Sequence, residues 1–202
     1  MTVPPSRISF IRRGMIAVGV SATLCAPAAQ AADMPQVLFK TSMGDFVVEL
    51  YPDKAPKTVE NFLQYVRDKH YDGTVFHRVI EGFMVQGGGF DANYAEKKTR
   101  APVVHEGREA LAKGGLRNVV GTLAMARTND PQSATAQFFI NVKDNAFLDP
   151  TPQLFGYTVF GKVIKGMDVV MKIKSTPTAA GGPFPSDVPK TPVIIQSATL
   201  VK

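Results

Sequence analysis

Thiol chemistry is almost absent from this sequence: of 202 residues one is a cysteine, Cys25. It falls inside an N-terminal segment that reads as removable. The mature chain then has no thiol, which excludes disulfides, cysteine nucleophiles and thiolate metal sites and suits an oxidising compartment. A long apolar run is also lacking. The stretch from Met15 to Ala26 is well short of the roughly 20 residues that span a bilayer, so no stable membrane anchor is expected. Gly-x-Ser-x-Gly, His-Glu-x-x-His and the P-loop pattern are missing, and His70, His77 and His105 include no helical pair. Hydrolase, kinase and metalloenzyme readings lose their basis, and no cofactor is expected. Charge of either sign is in no great excess, with 23 Lys and Arg against 17 Asp and Glu. The basic residues are scattered through the chain, which speaks against a nucleic-acid face.

What is present begins with the three parts of a secretory signal peptide over residues 1–31. Arg7, Arg12 and Arg13 supply the positive start, the stretch after Met15 the apolar middle, and Ala29-Gln30-Ala31 the small residues that signal peptidase reads. Cleavage is expected after Ala31, with delivery to the periplasm. Arg12-Arg13 hints at twin-arginine export and Cys25 at a lipoprotein, but Phe10-Ile11 and Leu24 fit those routes poorly. Residues 32–202 read as one domain. Loss of the three arginines lowers 23 basic residues to 20 against 17 acidic ones, a net of +3.

The periodicity of this domain is mostly that of strands. Val37 to Tyr51 reads as a hairpin about Met43-Gly44-Asp45. Val59, Phe62, Leu63 and Val66 form the apolar stripe of a helix that starts at Pro56 and ends before Gly73. Short β-like runs follow at 74–80, 83–86, 121–126, 136–142 and 157–164, with a second helix at 167–174 and a last strand at 193–201 that could pair with the first. The expected fold is all-β: a closed antiparallel barrel with two helices, since closure leaves no sheet edge free. Two segments, 91–118 and 175–192, read as loops. The role of the first is not apparent.

Two strands carry unexpected residues. Alternation places Arg78 in one row with Phe76 and Ile80. Either its stem covers apolar surface while its head reaches water, or the cation has a task. In Gln137-Phe138-Phe139-Ile140 one face pairs an amide with an aromatic ring, as in a ligand groove or a half-exposed edge strand. Gly87-Gly88-Gly89 lacks the helix start of a phosphate-binding loop and reads as a tight turn.

The blocks Phe76–Phe90, Gly121–Arg127, Gln137–Asn141 and Phe155–Val163, with Ala55–Phe62 before them, resemble the signature blocks of cyclophilin-type peptidyl-prolyl cis-trans isomerases, in order and over the whole mature chain. That resemblance implies an eight-stranded antiparallel barrel capped by two helices. It also implies Arg78 as the catalytic side chain, and Phe83, Met84, Phe139 and Leu148 as the pocket for the substrate proline. Gln86 and Gln137 correspond to polar groove residues, and Ala126 and Arg127 to contacts with the residues preceding proline. Phe147 and Tyr157 stand where many eukaryotic members have tryptophan and histidine, as in the bacterial periplasmic branch. Phe147 keeps the apolar wall without an indole N–H, so activity should survive while cyclosporin binds less tightly. The implied function is isomerisation of X-Pro bonds in exported proteins by a monomer. The alternative is a module binding proline-containing polypeptides as a chaperone.

Overall fold

The computed structural model describes residues 34–201, with Met1 and Thr2; the rest of the expected signal peptide and its cleavage site lie outside the described residues. Strand β1 (Gln36–Thr41) turns into β2 (Gly44–Leu50). The turn is tied by Thr41, whose hydroxyl donates to the Gly44 carbonyl at 2.6 Å and accepts from the Met43 N–H at 3.1 Å. Phe39 and Phe46 face each other across the ladder and their rings stack at 4.9 Å, an aromatic cross-strand pair that pins the register.

Helix α1 (Pro56–Arg67) follows, with Pro56 in its first turn and Val59, Phe62, Leu63 and Val66 all buried. Four short strands and a helical turn come next: β3 (Thr74–Val75), β4 (Arg78–Ile80), β5 (Met84–Gly87), α2 (Gly107–Ala112) and β6 (Thr122–Met125). The chain continues through β7 (Phe138–Asn141), a 3-10 turn at Ala146–Leu148, β8 (Val159–Lys165) and α3 (Met167–Lys174). It ends in β9 (Thr178–Gly181), β10 (Phe184–Pro189) and β11 (Ile194–Leu200). The last strand pairs with β1 as expected, Val37 opposite Leu200. Among the described residues no helix is long and apolar enough to cross a membrane.

Nine strands form one sheet in the order β3-β11-β1-β2-β8-β6-β7-β5-β4. Its edges, β3 and β4, are separated in sequence only by Phe76 and His77. A flat sheet of nine strands would hold its edges roughly 38 Å apart. Three Cα steps from Val75 to Arg78 reach about 11 Å at most, so the sheet must curl on itself. The mostly-β architecture with helices at 56–67 and 167–174 matches expectation. The ladder differs from the closed eight-stranded form: it counts nine strands and runs from edge to edge without hydrogen bonds joining β3 to β4.

Two expected loops contain structure. Residues 91–118 hold α2, and 175–192 hold the hairpin β9–β10. Exposed, Gly- and Pro-rich strands carry little periodic signal, which is why this hairpin reads as loop. Its anchor is Phe184, which stacks on His77 at 5.3 Å and meets Phe90 edge-on at 5.0 Å. The 74–80 run is interrupted as well. Phe76 turns into the main core with Val79 while Arg78 stays exposed, so Arg78 and Phe76 do not share a face.

The sheet separates two apolar clusters. Leu123, Met125, Phe138, Ile140 and Val85 point into the main core, while Ala124, Phe139 and Met84 point to the other side and build a smaller cluster with Ala126, Leu148 and Val159. Alternation along β5, β6 and β7 therefore gives the sheet an inner core and an outer apolar floor.

Candidate active site

Strand register assembles the outer site. Arg78 on β4 pairs with Gln86 on β5, Gln86 with Phe139 on β7, and Phe139 with Ala124 on β6. Directly opposed residues share a sheet face, so four positions scattered between Arg78 and Phe139 become one row. Beside it Ile80 pairs with Met84. Because β7 lies between β6 and β5, the Gln137–Phe139 face belongs to a groove rather than to an edge strand.

The row floors a cleft of about 160 Å³ lined by Arg78, Phe83, Met84, Gln86, Ala126, Arg127, Phe139, Leu148 and Tyr157. Met84 is only 1% exposed and Phe139 and Leu148 are buried, so the floor is apolar and rigid. Tyr157 closes one side, its ring edge-on to Phe139 at 5.4 Å. Gln137 lines an adjoining cleft of about 340 Å³ that shares Gln86, Ala126 and Arg127 and adds Glu96, Thr99 and Thr128. The Gln86 amide donates to Gln137 Oε1 at 3.0 Å, joining the two clefts. Phe147 stands apart from both linings: 69% exposed, it stacks on Phe83 at 5.7 Å as a ledge at the rim.

Two guanidinium groups face this space and they differ. Arg127 is held: Nε and Nη2 donate to the Gly156 carbonyl at 3.1 and 2.9 Å, Nη1 donates to the Thr128 carbonyl, and its Cζ lies 4.5 Å over the Tyr157 ring. Arg78 is exposed at the cleft's edge and, among the described residues, takes part in no ion pair. It is a cation left available beside an apolar pocket. The lining of the apolar cleft contains no carboxylate, imidazole, serine or thiol, and the exposed Arg78 at its edge is positioned for electrostatic donation.

A buried polar network, not foreseen from sequence, holds the wall. Asn145 donates to the Phe83 carbonyl at 2.9 Å and to Asn141 Oδ1 at 2.7 Å. Asp149 accepts from the Asn118 N–H at 2.8 Å, from its side-chain amide at 3.0 Å and from Arg117. These bonds fix the turn that presents Phe147 and Leu148. The only sequence signal was a run of polar residues flanking Ala146-Phe147-Leu148, which periodicity does not read. His77, next to Arg78, is 2% exposed and its Nδ1 is unpartnered. Burial foremost pushes its pKa down to about 4, so it stays neutral at ordinary pH.

The family model described as cyclophilin type peptidyl-prolyl cis-trans isomerase/CLD matches residues 36–200. Peptidyl-prolyl cis-trans isomerase A of Dickeya dadantii is 50% identical over 183 residues, covering 91% of this chain and 93% of the relative. Peptidyl-prolyl cis-trans isomerase B of Escherichia coli is 53% identical over 167 residues, with 81% and 98% covered. Among solved structures, a Cryptosporidium parvum cyclophilin type peptidyl-prolyl cis-trans isomerase superposes with a TM-score of 0.63 at 24% identity, over 84% of this chain and 98% of that one. The same parasite protein, solved in the presence of the dipeptide Ala-Pro, gives 0.62.

Proposed function

This chain belongs to the cyclophilin-type peptidyl-prolyl cis-trans isomerases and catalyses that isomerisation; on this premise we propose that Arg78 is its catalytic side chain and that its substrates are exported polypeptides. One observation carries the site assignment: a cation without an ion pair among the described residues stands at the edge of a rigid apolar pocket whose other guanidinium, Arg127, is already engaged. Rotation about an X-Pro bond meets a barrier of about 20 kcal/mol, because the nitrogen lone pair is delocalised into the carbonyl. A millisecond turnover corresponds to about 13 kcal/mol, so the protein must supply roughly 6–7 kcal/mol.

The pocket of Met84, Phe139 and Leu148 holds the proline ring, while Gln86, Gln137 and the Ala126–Arg127 segment hold the chain before it. Rotation then becomes a motion of one end against a fixed end. As the bond twists, the prolyl nitrogen becomes pyramidal and regains its lone pair. Arg78 donates to that lone pair, an interaction the planar ground state lacks, so it favours the transition state selectively.

The test is NMR exchange between the cis and trans forms of an X-Pro peptide. Arg78→Ala is expected to lower the exchange rate by roughly 10²–10³-fold while the peptide still binds. Unchanged exchange would remove Arg78 from the role. Export is read separately, by cell fractionation and N-terminal sequencing: a periplasmic protein that begins at Ala32 supports it, and a full-length cytoplasmic one refutes it.

The exposed Phe147, Leu154 and Phe155 favour a second reading, in which the same surface retains unfolded polypeptides and isomerisation is incidental. Suppression of aggregation by Arg78→Ala at wild-type level would support that reading.

A further inference from the structure

The wall that carries Tyr157 and positions Arg127 is held from outside the cleft, by His105. The Gly156 carbonyl that receives both Arg127 donors also lies 3.2 Å from His105 Nε2. The tautomer follows from the other side of the ring: His105 Nδ1 accepts from the Gly107 N–H at 3.3 Å, which leaves the proton on Nε2, directed at Gly156. The ring is seated as well as bonded. It meets Phe155 edge-on at 5.7 Å, and a Cβ on Gly107 would come within 2.6 Å of its Cε1, so residue 107 is shaped to admit it.

Gly156 is equally constrained. Its φ is +63°, and a Cβ there would lie 2.4 Å from the Pro150 nitrogen. The carbonyl is therefore fixed in direction by its backbone, and the next residue, Tyr157, donates its N–H to the carbonyl of Leu148, a pocket residue. Arg108 braces the same loop, donating to the Thr151 and Pro152 carbonyls with its Cζ 4.5 Å over Phe155.

We propose that His105 is a positioning residue of the substrate cleft: through the Gly156 carbonyl it sets the orientation of Arg127 over Tyr157, and with it the wall that receives the residues preceding proline. This gives the segment 91–118 a task, and it rests on Arg127 and Tyr157 serving the cleft as proposed above.

The experiment compares His105→Phe, which keeps a ring but loses the donor, with His105→Gln, whose amide N–H can replace Nε2–H. Both are measured in the full mature enzyme with an X-Pro peptide. His105→Phe is expected to raise KM about three- to tenfold with kcat within about twofold of wild type, the effect of one hydrogen bond on binding. His105→Gln recovers most of that loss, and the Arg127 Nε–H resonance moves in the Phe variant and returns in the Gln variant. If His105→Phe does not fold, His105→Asn, too short to reach Gly156, takes its place. The proposal is overturned if KM and the Arg127 resonance stay at wild-type values in the donor-less variant, or if Gln fails to restore them. Arg127→Ala separates the two levels. Should it raise KM while His105→Phe does not, only the positioning role fails; should it leave KM unchanged, the assignment of Arg127 to the cleft fails and His105 with it.

Discussion

Glu106 Oε2 accepts two hydrogen bonds from Thr58, one from its backbone N–H and one from its hydroxyl, each 2.7 Å long. The Lys57 N–H reaches the other carboxylate oxygen at 3.1 Å. Ala55, the N-cap residue of α1, makes no side-chain cap. A buried carboxylate from a distant segment therefore satisfies the amides that a local Ser or Asp would ordinarily satisfy, at the end of the helix where negative charge is favoured. Glu106→Gln is expected to destabilise the fold by about 1–2 kcal/mol, because one amide hydrogen then faces donors. Urea unfolding measures this, and a midpoint equal to wild type would show that the cap contributes nothing.

Acid should weaken the fold through His77. Its folded pKa, about 4, lies below the ordinary 6.5, so the unfolded chain takes up the proton first. The stability it preserves is complete above pH 6.5 and is lost as pH falls towards 4, by up to roughly 3 kcal/mol. His70 and His105 are shifted in the same direction, chiefly by burial, and add to the slope. Denaturation of wild type and His77→Gln at pH 7 and pH 5 tests this: the variant should lose less stability between the two. Equal losses would mean that His77 is not held neutral.

A glycine outside the cleft should control its polar side. A Cβ on Gly89 would fall 2.5 Å from Gln137 Cγ and 2.6 Å from its Nε2. The amide can swing away, so Gly89→Ala should fold, but the Gln86–Gln137 hydrogen bond is broken. We expect KM to rise about threefold or more with kcat little changed. A KM at the wild-type value would show that the amide pair does not hold substrate.

The ledge at Phe147 is expected to affect cyclosporin and substrate differently. It offers a ring without an N–H, so Phe147→Trp should tighten cyclosporin binding by about tenfold, the effect of one added hydrogen bond. Isomerase activity should change little, since Phe147 lies outside the lining of the apolar cleft. Calorimetric titration of both proteins decides; an unchanged Kd would show that residue 147 does not govern cyclosporin binding.

What could be read directly from sequence is whatever repeats locally. The stripe Val59, Phe62, Leu63 and Val66 marked α1, Phe138 and Ile140 marked the core face of β7, and Met167 to Lys174 marked α3, because burial of a helix or strand face leaves a period of 3.6 or 2 in the chain. The motif blocks named Arg78, Phe83, Gln86 and Gln137, which the structure brings to the two adjoining clefts. Other features depend on contacts between segments far apart in sequence and leave no period. Pairing of Arg78 with Gln86 and of Gln86 with Phe139 is a matter of register, the kink at Phe76–His77 reversed an expected face, and Phe184 reaches His77 only because β10 folds back over β4. Glu106, His105, Asn145 and Asp149 belong to the same class. Each is one polar residue in an aperiodic segment, and its partner is identified only when the chain has closed on itself and left a buried amide or carbonyl to be satisfied.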